Sequence, residues 1–189
     1  MADAEGPWVF AYGSVVWRPS FPFVVRRSAI LRGHSRRFWQ ASEDHRGVPG
    51  APGRVVTLVE SPNALCVGVA YRLDASAANA VLAALDVREQ GGYSRTSIAI
   101  ELSDGACVPA ITYVAARGNS LDAGDAPIDE IAQQISLAVG PSGANRDYLL
   151  ELARALRQIV HPAFGEGALA EHDAHVFALE SRVHALSRA

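Results

Sequence analysis

Through the first 115 residues, β-branched and aromatic side chains gather in short runs separated by polar, Gly- and Pro-containing clusters. That pattern predicts strands at Trp8 to Tyr12, Phe23 to Leu31, Arg36 to Ala41, Arg54 to Val59 and Leu65 to Leu73. A helix is expected from about Ser76 to Leu85, with Asp74 as N-cap and Ala77, Val81, Leu82 and Leu85 on one face. Strand character returns at Thr96 to Glu101 and Pro109 to Ala115. The largest breaker cluster, Arg46-Gly-Val-Pro-Gly-Ala-Pro-Gly53, predicts an irregular loop.

Beyond that point the apolar period shifts to that of helices. Asp125 caps an expected helix with Pro127 near its first turn, Ile128, Ile131 and Ile135 inward, and a stop at Gly140. Ser142 or Asn145 starts the next, which carries Leu149, Leu152, Ala153, Leu156 and Val160. A last helix is expected over about 166–187, with Leu169, His172, Val176, Leu179, Val183 and Leu186 on one stripe. Strands first and helices later predict an α+β fold with a closed or strongly curved sheet. A length of 189 residues fits a single domain over 1–189, with about residues 1–7 as a flexible start.

Composition narrows the function classes. A hydrophobic content of 49% argues against a disordered chain. No apolar run is long enough for a membrane helix, and the acidic start Met-Ala-Asp-Ala-Glu-Gly-Pro does not resemble a signal peptide. Cys66 and Cys107 lie in strand-like runs and are expected to be buried free thiols. These features point to a cytoplasmic protein. All 17 basic residues are arginine, which excludes a lysine Schiff base and a Walker A loop. The segment from Arg18 to Arg54 holds eight arginines and two acids, Glu43 and Asp44. It reads either as a solvated strand face or as a surface for an anionic ligand. Without interleaved exposed aromatics or a recognition helix, nucleic acid is not an expected partner.

Two segments carry candidate chemistry. Val9-Phe-Ala-Tyr-Gly-Ser14 is an apolar strand ending in a Gly-Ser turn, which can offer bare backbone N–H groups and a hydroxyl to an anionic group. Arg88-Glu-Gln-Gly-Gly-Tyr93 places one carboxylate at the end of the first helix, beside a glycine pair. Taken locally, Glu89 either moves a proton on a bound ligand or simply pairs with Arg88 and caps the helix. Ser14 lacks a G-x-S-x-G elbow, so its hydroxyl is expected to contact substrate rather than act as a nucleophile. His172 and His175 lie three apart without an HExxH or cysteine-rich set, so no metal is expected. The Gly-Pro loop at 47–53 lacks the G-x-G-x-x-G pattern of a dinucleotide site.

Several motifs together resemble one family. Trp8-Val-Phe-Ala-Tyr-Gly-Ser14 is similar to the glycine-turn signature of the γ-glutamylcyclotransferases. Trp17-Arg-Pro19, Ser35-Arg-Arg-Phe-Trp-Gln40, His45-Arg-Gly47 and Pro52-Gly-Arg-Val-Val-Thr-Leu58 resemble its glutathione-specific ChaC branch. So do Gly68-Val-Ala-Tyr-Arg72, Arg88 to Tyr93, Ala126-Pro127, Gly140 to Asn145 and Tyr148-Leu149, with a weaker match at Phe177 to Glu180. Two departures are small and apolar: Val15 stands where leucine is usual, and Ala11 where glycine is common. The compact segment before Tyr93 resembles the short-loop members.

The resemblance implies a γ-glutamylcyclotransferase-like mixed barrel with flanking helices, and a reaction without a cofactor. Glutathione's own α-amine attacks its γ-carbonyl, giving 5-oxoproline and cysteinylglycine. Glu89 matches the family's catalytic glutamate. The stretch Val9, Phe10, Ala11, Tyr12, Gly13, Ser14 and Val15 would hold the γ-glutamyl group, with Arg46, Tyr93 and Tyr113 as further substrate contacts. The alternatives are a cyclotransferase for other γ-glutamyl amines or amino acids, and a glutathione-binding regulatory module without catalysis.

Overall fold

The computed structural model describes residues 5–162 and 171–188. Five strands close into a barrel: β1 (Glu5–Ala11), β2 (Val25–Ser42), β3 (Gly53–Asp74), β4 (Tyr93–Leu102) and β5 (Cys107–Ala115). Their order around the wall is β1-β3-β2-β4-β5. Neighbours run antiparallel except at the closure, where β1 meets β5 in parallel through Trp8↔Ala110 and Val9↔Ile111. Closure leaves no free sheet edge in the central wall.

The sequence divides β2 and β3 into two strands each, yet each is continuous. Their pairing skips between Arg32 and His34, opposite Glu60 to Leu65. Gly33 takes φ +75° there, and Pro62 falls in the unpaired stretch where no ladder N–H is required. The breakers therefore mark a bulge in a long hairpin rather than strand ends. The strand β1 likewise begins at Glu5, ahead of the expected Trp8.

Among the described residues these helices flank the barrel: α1 (Ala78–Arg88), α2 (Ile128–Leu137), α3 (Asn145–Arg157) and α4 (Ala174–Leu186). Helix α1 packs Val81, Leu82 and Leu85 against Val9, Leu73 and Tyr113. Helices α2, α3 and α4 bury Ile131, Ile135, Leu149, Leu152, Leu156, Val176, Leu179 and Val183 in one cluster with Leu31, Phe38 and Leu58 of the barrel. A two-strand ribbon, β6 (Val139–Gly140) and β7 (Gly143–Ala144), links α2 to α3.

Several local expectations are corrected. Asp74 does not cap α1: its carboxylate accepts from the Ser76 N–H and hydroxyl, and the helix starts at Ala78. Asp125 similarly bonds the Ala126 N–H, and Pro127 occupies the N-cap of α2, which ends at Leu137 rather than Gly140. Asn145 does open α3, but its buried amide is spent elsewhere, accepting from the Arg54 N–H (2.6 Å) and donating to the Arg54 carbonyl (2.8 Å). Val160 lies past the end of α3 and is 84% exposed, so it belongs to no core stripe. Cys66 is buried as expected, whereas Cys107 is exposed at the start of β5. The described part of the last helix spans 174–186, and the expected Leu169 lies outside the described residues.

Candidate active site

β1 runs out at Ala11, and Tyr12 and Gly13 lead into a single 3-10 turn over Ser14–Val16. The turn closes on the Gly13 carbonyl, which accepts from the Val16 N–H at 3.0 Å. The N–H groups of Gly13, Ser14 and Val15 meet no backbone acceptor among the described residues. The three residues line a small inner chamber of about 70 Å3. All seven residues from Val9 to Val15 line it, together with Glu89, Tyr93, Tyr113 and Tyr148.

Glu89 is the C-cap residue of α1, its N–H bonded to the Leu85 carbonyl at 2.9 Å. The adjoining Gly91-Gly92 turn is required by geometry. Gly92 has φ +89°, and a Cβ there would lie 2.6 Å from Gln40 Nε2 and Asn119 Oδ1. Gln40 Nε2 also donates to the Gly91 carbonyl at 2.8 Å, fixing how the chain turns from α1 into β4. The Glu89 side chain is only 22% exposed. Burial pushes its pKa up; Arg88 and His45 pull it down, and Asp44 adds to the rise. Its place at the negative end of α1 also disfavours the charged form.

Outside the chamber opens a wider cleft of about 370 Å3, lined by Trp17, Arg18, Asp44, His45, Arg46, Arg88 and Ser142 among others. Four residues wall both spaces: Ser14, Glu89, Tyr93 and Tyr148. Glu89 thus sits where chamber and cleft meet. The pairing and capping expected of this residue are present. It ends the helix and lies 3.5 Å from Arg88 Nε, and it lines both cavities.

The hydroxyls of this wall are already committed in informative ways. Arg88 donates to Ser14 Oγ (2.7 Å) and Ser20 Oγ (2.9 Å), so Ser14 keeps its own proton to donate. Tyr12 donates to the Tyr113 carbonyl and Tyr93 to the Val56 carbonyl, each at 2.6 Å. With those protons engaged, both oxygens have only lone pairs to offer. Burial raises the pKa of Tyr12, Tyr93 and Tyr148, with Glu89 adding to each, so the phenols stay neutral. Tyr113 contributes its ring to the chamber, but its hydroxyl bonds Asp86 and the Leu82 carbonyl, and burial moves its pKa to about 12. Its role there is to form wall.

Arg46 lines the cleft, stacks its guanidinium 5.5 Å from the Tyr148 ring centroid and donates to the Ala144 carbonyl at 3.1 Å. The arginine-rich segment divides among three uses. Arg27 and Arg32 pair with Asp104 and Glu101 on the barrel surface. Arg36 and Arg54 are buried, binding Asp173 and a set of carbonyls respectively. Arg18 and Arg46 remain for the cleft. Tyr148, Asp44 and His45 were not singled out by spacing. Tyr148 entered the sequence reading only within the Tyr148-Leu149 motif, with no role at the site, and the structure places it on α3. His175 Nε2 accepts from the Phe38 N–H at 3.2 Å, and burial lowers the pKa of the ring to about 4. Among the described residues no group of three or more His, Cys, Asp or Glu is placed to hold a metal ion.

A strand-end turn and a desolvated glutamate thus line one cavity, and comparison with known proteins gives the family. The model of the ChaC-like protein family matches residues 7–186, and the chain belongs to that family. It is 43% identical over 155 residues to the human glutathione-specific γ-glutamylcyclotransferase 1, covering 80% of this chain and 70% of that protein. It is 40% identical over 161 residues to γ-glutamylcyclotransferase 2-3 of Arabidopsis thaliana, covering 80% of each. The crystal structure of a yeast γ-glutamyl cyclotransferase specific to glutathione superposes with a TM-score of 0.86 at 29% identity, covering 96% of both chains. The expected mixed barrel with flanking helices is therefore the fold of this protein.

Proposed function

We propose that this protein cyclises the γ-glutamyl group of glutathione, releasing 5-oxoproline and cysteinylglycine, with Glu89 moving the proton. The observation that carries the reading is the position of that carboxyl, desolvated where the donor-lined chamber meets the arginine-lined cleft. The relatives' activity toward glutathione supports it.

The γ-glutamyl end enters the chamber and bends against the turn at Gly13, Ser14 and Val15. A substrate α-ammonium, with a pKa of about 8, is mostly protonated at neutral pH. Glu89 takes one proton from it, and the lone-pair oxygens of Tyr12 and Tyr93 suit the remaining N–H bonds. The freed amine attacks the γ-carbonyl carbon, the carbonyl π electrons move onto oxygen, and donors of the turn stabilise that oxyanion. Collapse re-forms the carbonyl and breaks the bond to the cysteinyl nitrogen, which receives the proton held by Glu89; the regenerated carboxylate then takes the second proton from the ring nitrogen, leaving the neutral lactam, and passes it to the released amine. Attack and departure occur within one molecule, so holding the chain bent removes about 7–11 kcal/mol of barrier in favourable cases. A raised pKa suits Glu89 to both steps, since a strongly acidic carboxylate is a poor base.

The cysteinylglycine half would extend into the cleft, where Arg18 and Arg46 face its terminal carboxylate. We place the reaction in the cytoplasm, a reducing compartment in keeping with the free thiols of Cys66 and Cys107. Incubation with reduced glutathione should release 5-oxoproline and cysteinylglycine in equal amounts. A higher initial rate on γ-glutamyl-alanine would transfer the assignment to a different γ-glutamyl substrate. Binding of glutathione without consumption would make the chain a non-catalytic module.

A further inference from the structure

The least expected polar contact in the molecule lies beneath the Gly13 turn. Arg36 on β2 is 1% exposed, yet all of its bonds are made inside the core. Its Nε donates to the Tyr12 carbonyl at 2.7 Å, Nη2 to the Val67 carbonyl, and Nη1 to Asp173 Oδ1 at 2.5 Å. Asp173 is the N-cap residue of α4 and is itself 2% exposed. A pair with neither partner in contact with solvent is costly to bury and adds little to stability over an apolar pair of the same shape. Its retention calls for another role.

The Tyr12 carbonyl belongs to the same rigid peptide plane as the Gly13 N–H, and the two point in opposite directions. Fixing the carbonyl on Arg36 therefore fixes the N–H on the far side of that plane, at the start of the donor turn. We propose that Asp173 and Arg36 are positioning residues for the substrate-binding turn, through which the C-terminal helix sets the direction of the Gly13 N–H. A second contact follows the same route. His175, two residues along, accepts from the Phe38 N–H, and the Phe38 ring meets Tyr148 edge-on at 5.9 Å. Arg36 and Phe38 alternate along β2, so α4 braces both the turn and the tyrosine that wall the chamber. The proposal rests on the chamber being the substrate site, but not on Glu89 being the base.

The test compares Asp173→Asn with Leu179→Ala in the full chain. Leu179 is wholly buried on α4 and its replacement leaves a core cavity without touching the Arg36 contacts. Kinetics on glutathione are measured at temperatures where each variant is fully folded by its own melting curve. Asp173→Asn, nearly isosteric, should lower kcat about tenfold or more, as small misplacements of reacting groups do. Leu179→Ala should lower the melting temperature further while keeping kcat within about twofold of the parent. Equal kcat losses in the two, or a parent-like kcat in Asp173→Asn, would overturn the proposal. If Asp173→Asn fails to fold, Asp173→Glu retains the charge and lengthens the strut by one methylene. It should restore folding yet stay about tenfold slow, and a parent-like kcat there overturns the proposal equally. The acid limb of the pH–rate profile should not move in either Asp173 variant. A parent profile without such a limb would sink the Glu89 assignment alone, since the comparison of kcat values requires turnover and no particular base.

Discussion

The inner chamber and the outer cleft share four wall residues, yet they are built on different principles. The chamber is made of backbone and of phenols, those of Tyr12 and Tyr93 tied to carbonyls, on or beside β1, β4, β5 and α3. The cleft is lined by long or exposed side chains, with Arg18, Asp44 and His45 all open to solvent. Chemistry needs groups held within a fraction of an ångström, and a closed barrel supplies that. Recognition of a flexible peptide tail tolerates adjustable arginines. The contrast predicts that changes in the chamber act mainly on kcat and changes in the cleft mainly on KM.

The sharpest break should come from Glu89→Gln. The amide is nearly isosteric and cannot accept a proton from the amine, so kcat should fall by about 10³-fold, within the range for general acid–base catalysis. Circular dichroism should show the fold unchanged. Release of 5-oxoproline at the parent rate would dissolve the distinction between the two regions at its centre.

Gly13→Ala should act next most strongly. A Cβ there would stand 3.2 Å from Tyr148 Oη and from Val56 Cγ2, tighter than ordinary contact, although the backbone at φ −114° suits any residue. The methyl group presses on the chamber wall itself, so kcat should fall by about 10- to 100-fold with a smaller change in KM. A pure KM effect would mean that the turn binds but does not orient.

Arg46→Ala tests the other region. Losing one charge-assisted contact to a carboxylate in a partly solvated cleft should raise KM about tenfold and leave kcat within about twofold. Substrate comparison sharpens it: γ-glutamyl-cysteine, lacking the terminal glycine, should show a smaller Arg46 effect than glutathione. A loss of kcat equal to that of Gly13→Ala would place Arg46 among the orienting groups.

The same division governs what the sequence made legible. The chamber could be read because its makers are contiguous: seven residues from Val9 to Val15 lead out of one strand, and Glu89 sits one residue ahead of two glycines. The barrel was likewise legible from runs of Val, Phe and Tyr, although a bulge with Gly33 and Pro62 looks locally like two strand ends. The cleft was not, because Arg18, Asp44, His45 and Ser142 come from separate loops that only the tertiary fold brings together. Tyr148 was visible only as part of a two-residue motif without a role, and Arg36 lay in a run of arginines whose two readings, a solvated face or an anion-binding surface, both left out burial in the core. Local caps failed at Asp74 and Asp125 because each carboxylate found a nearer N–H within two residues.

A smaller effect separates the two regions by pH. The folded chain holds the Glu89 proton to a higher pH than the ordinary 4.5, chiefly because the side chain is buried. Stability associated with this group is therefore fully present below the ordinary value and is lost as pH rises to the raised folded value. Above that window a charged carboxylate stays in a poorly solvated site, and the native state carries the cost so that the site can work. Glu89→Gln removes the ionisation, so the variant should melt at a higher temperature than the parent at neutral pH. The gap should close as pH falls below the ordinary value. Asp173 is raised by burial too, but it is unchanged in both proteins and cancels from the difference. Arg46→Ala should show no such trend between about pH 4 and 8, because a guanidinium does not titrate there. Melting curves of the three proteins across that range measure both slopes. A Glu89→Gln gap independent of pH would trace the effect to packing, and the chamber would then differ from the cleft in shape but not in desolvation.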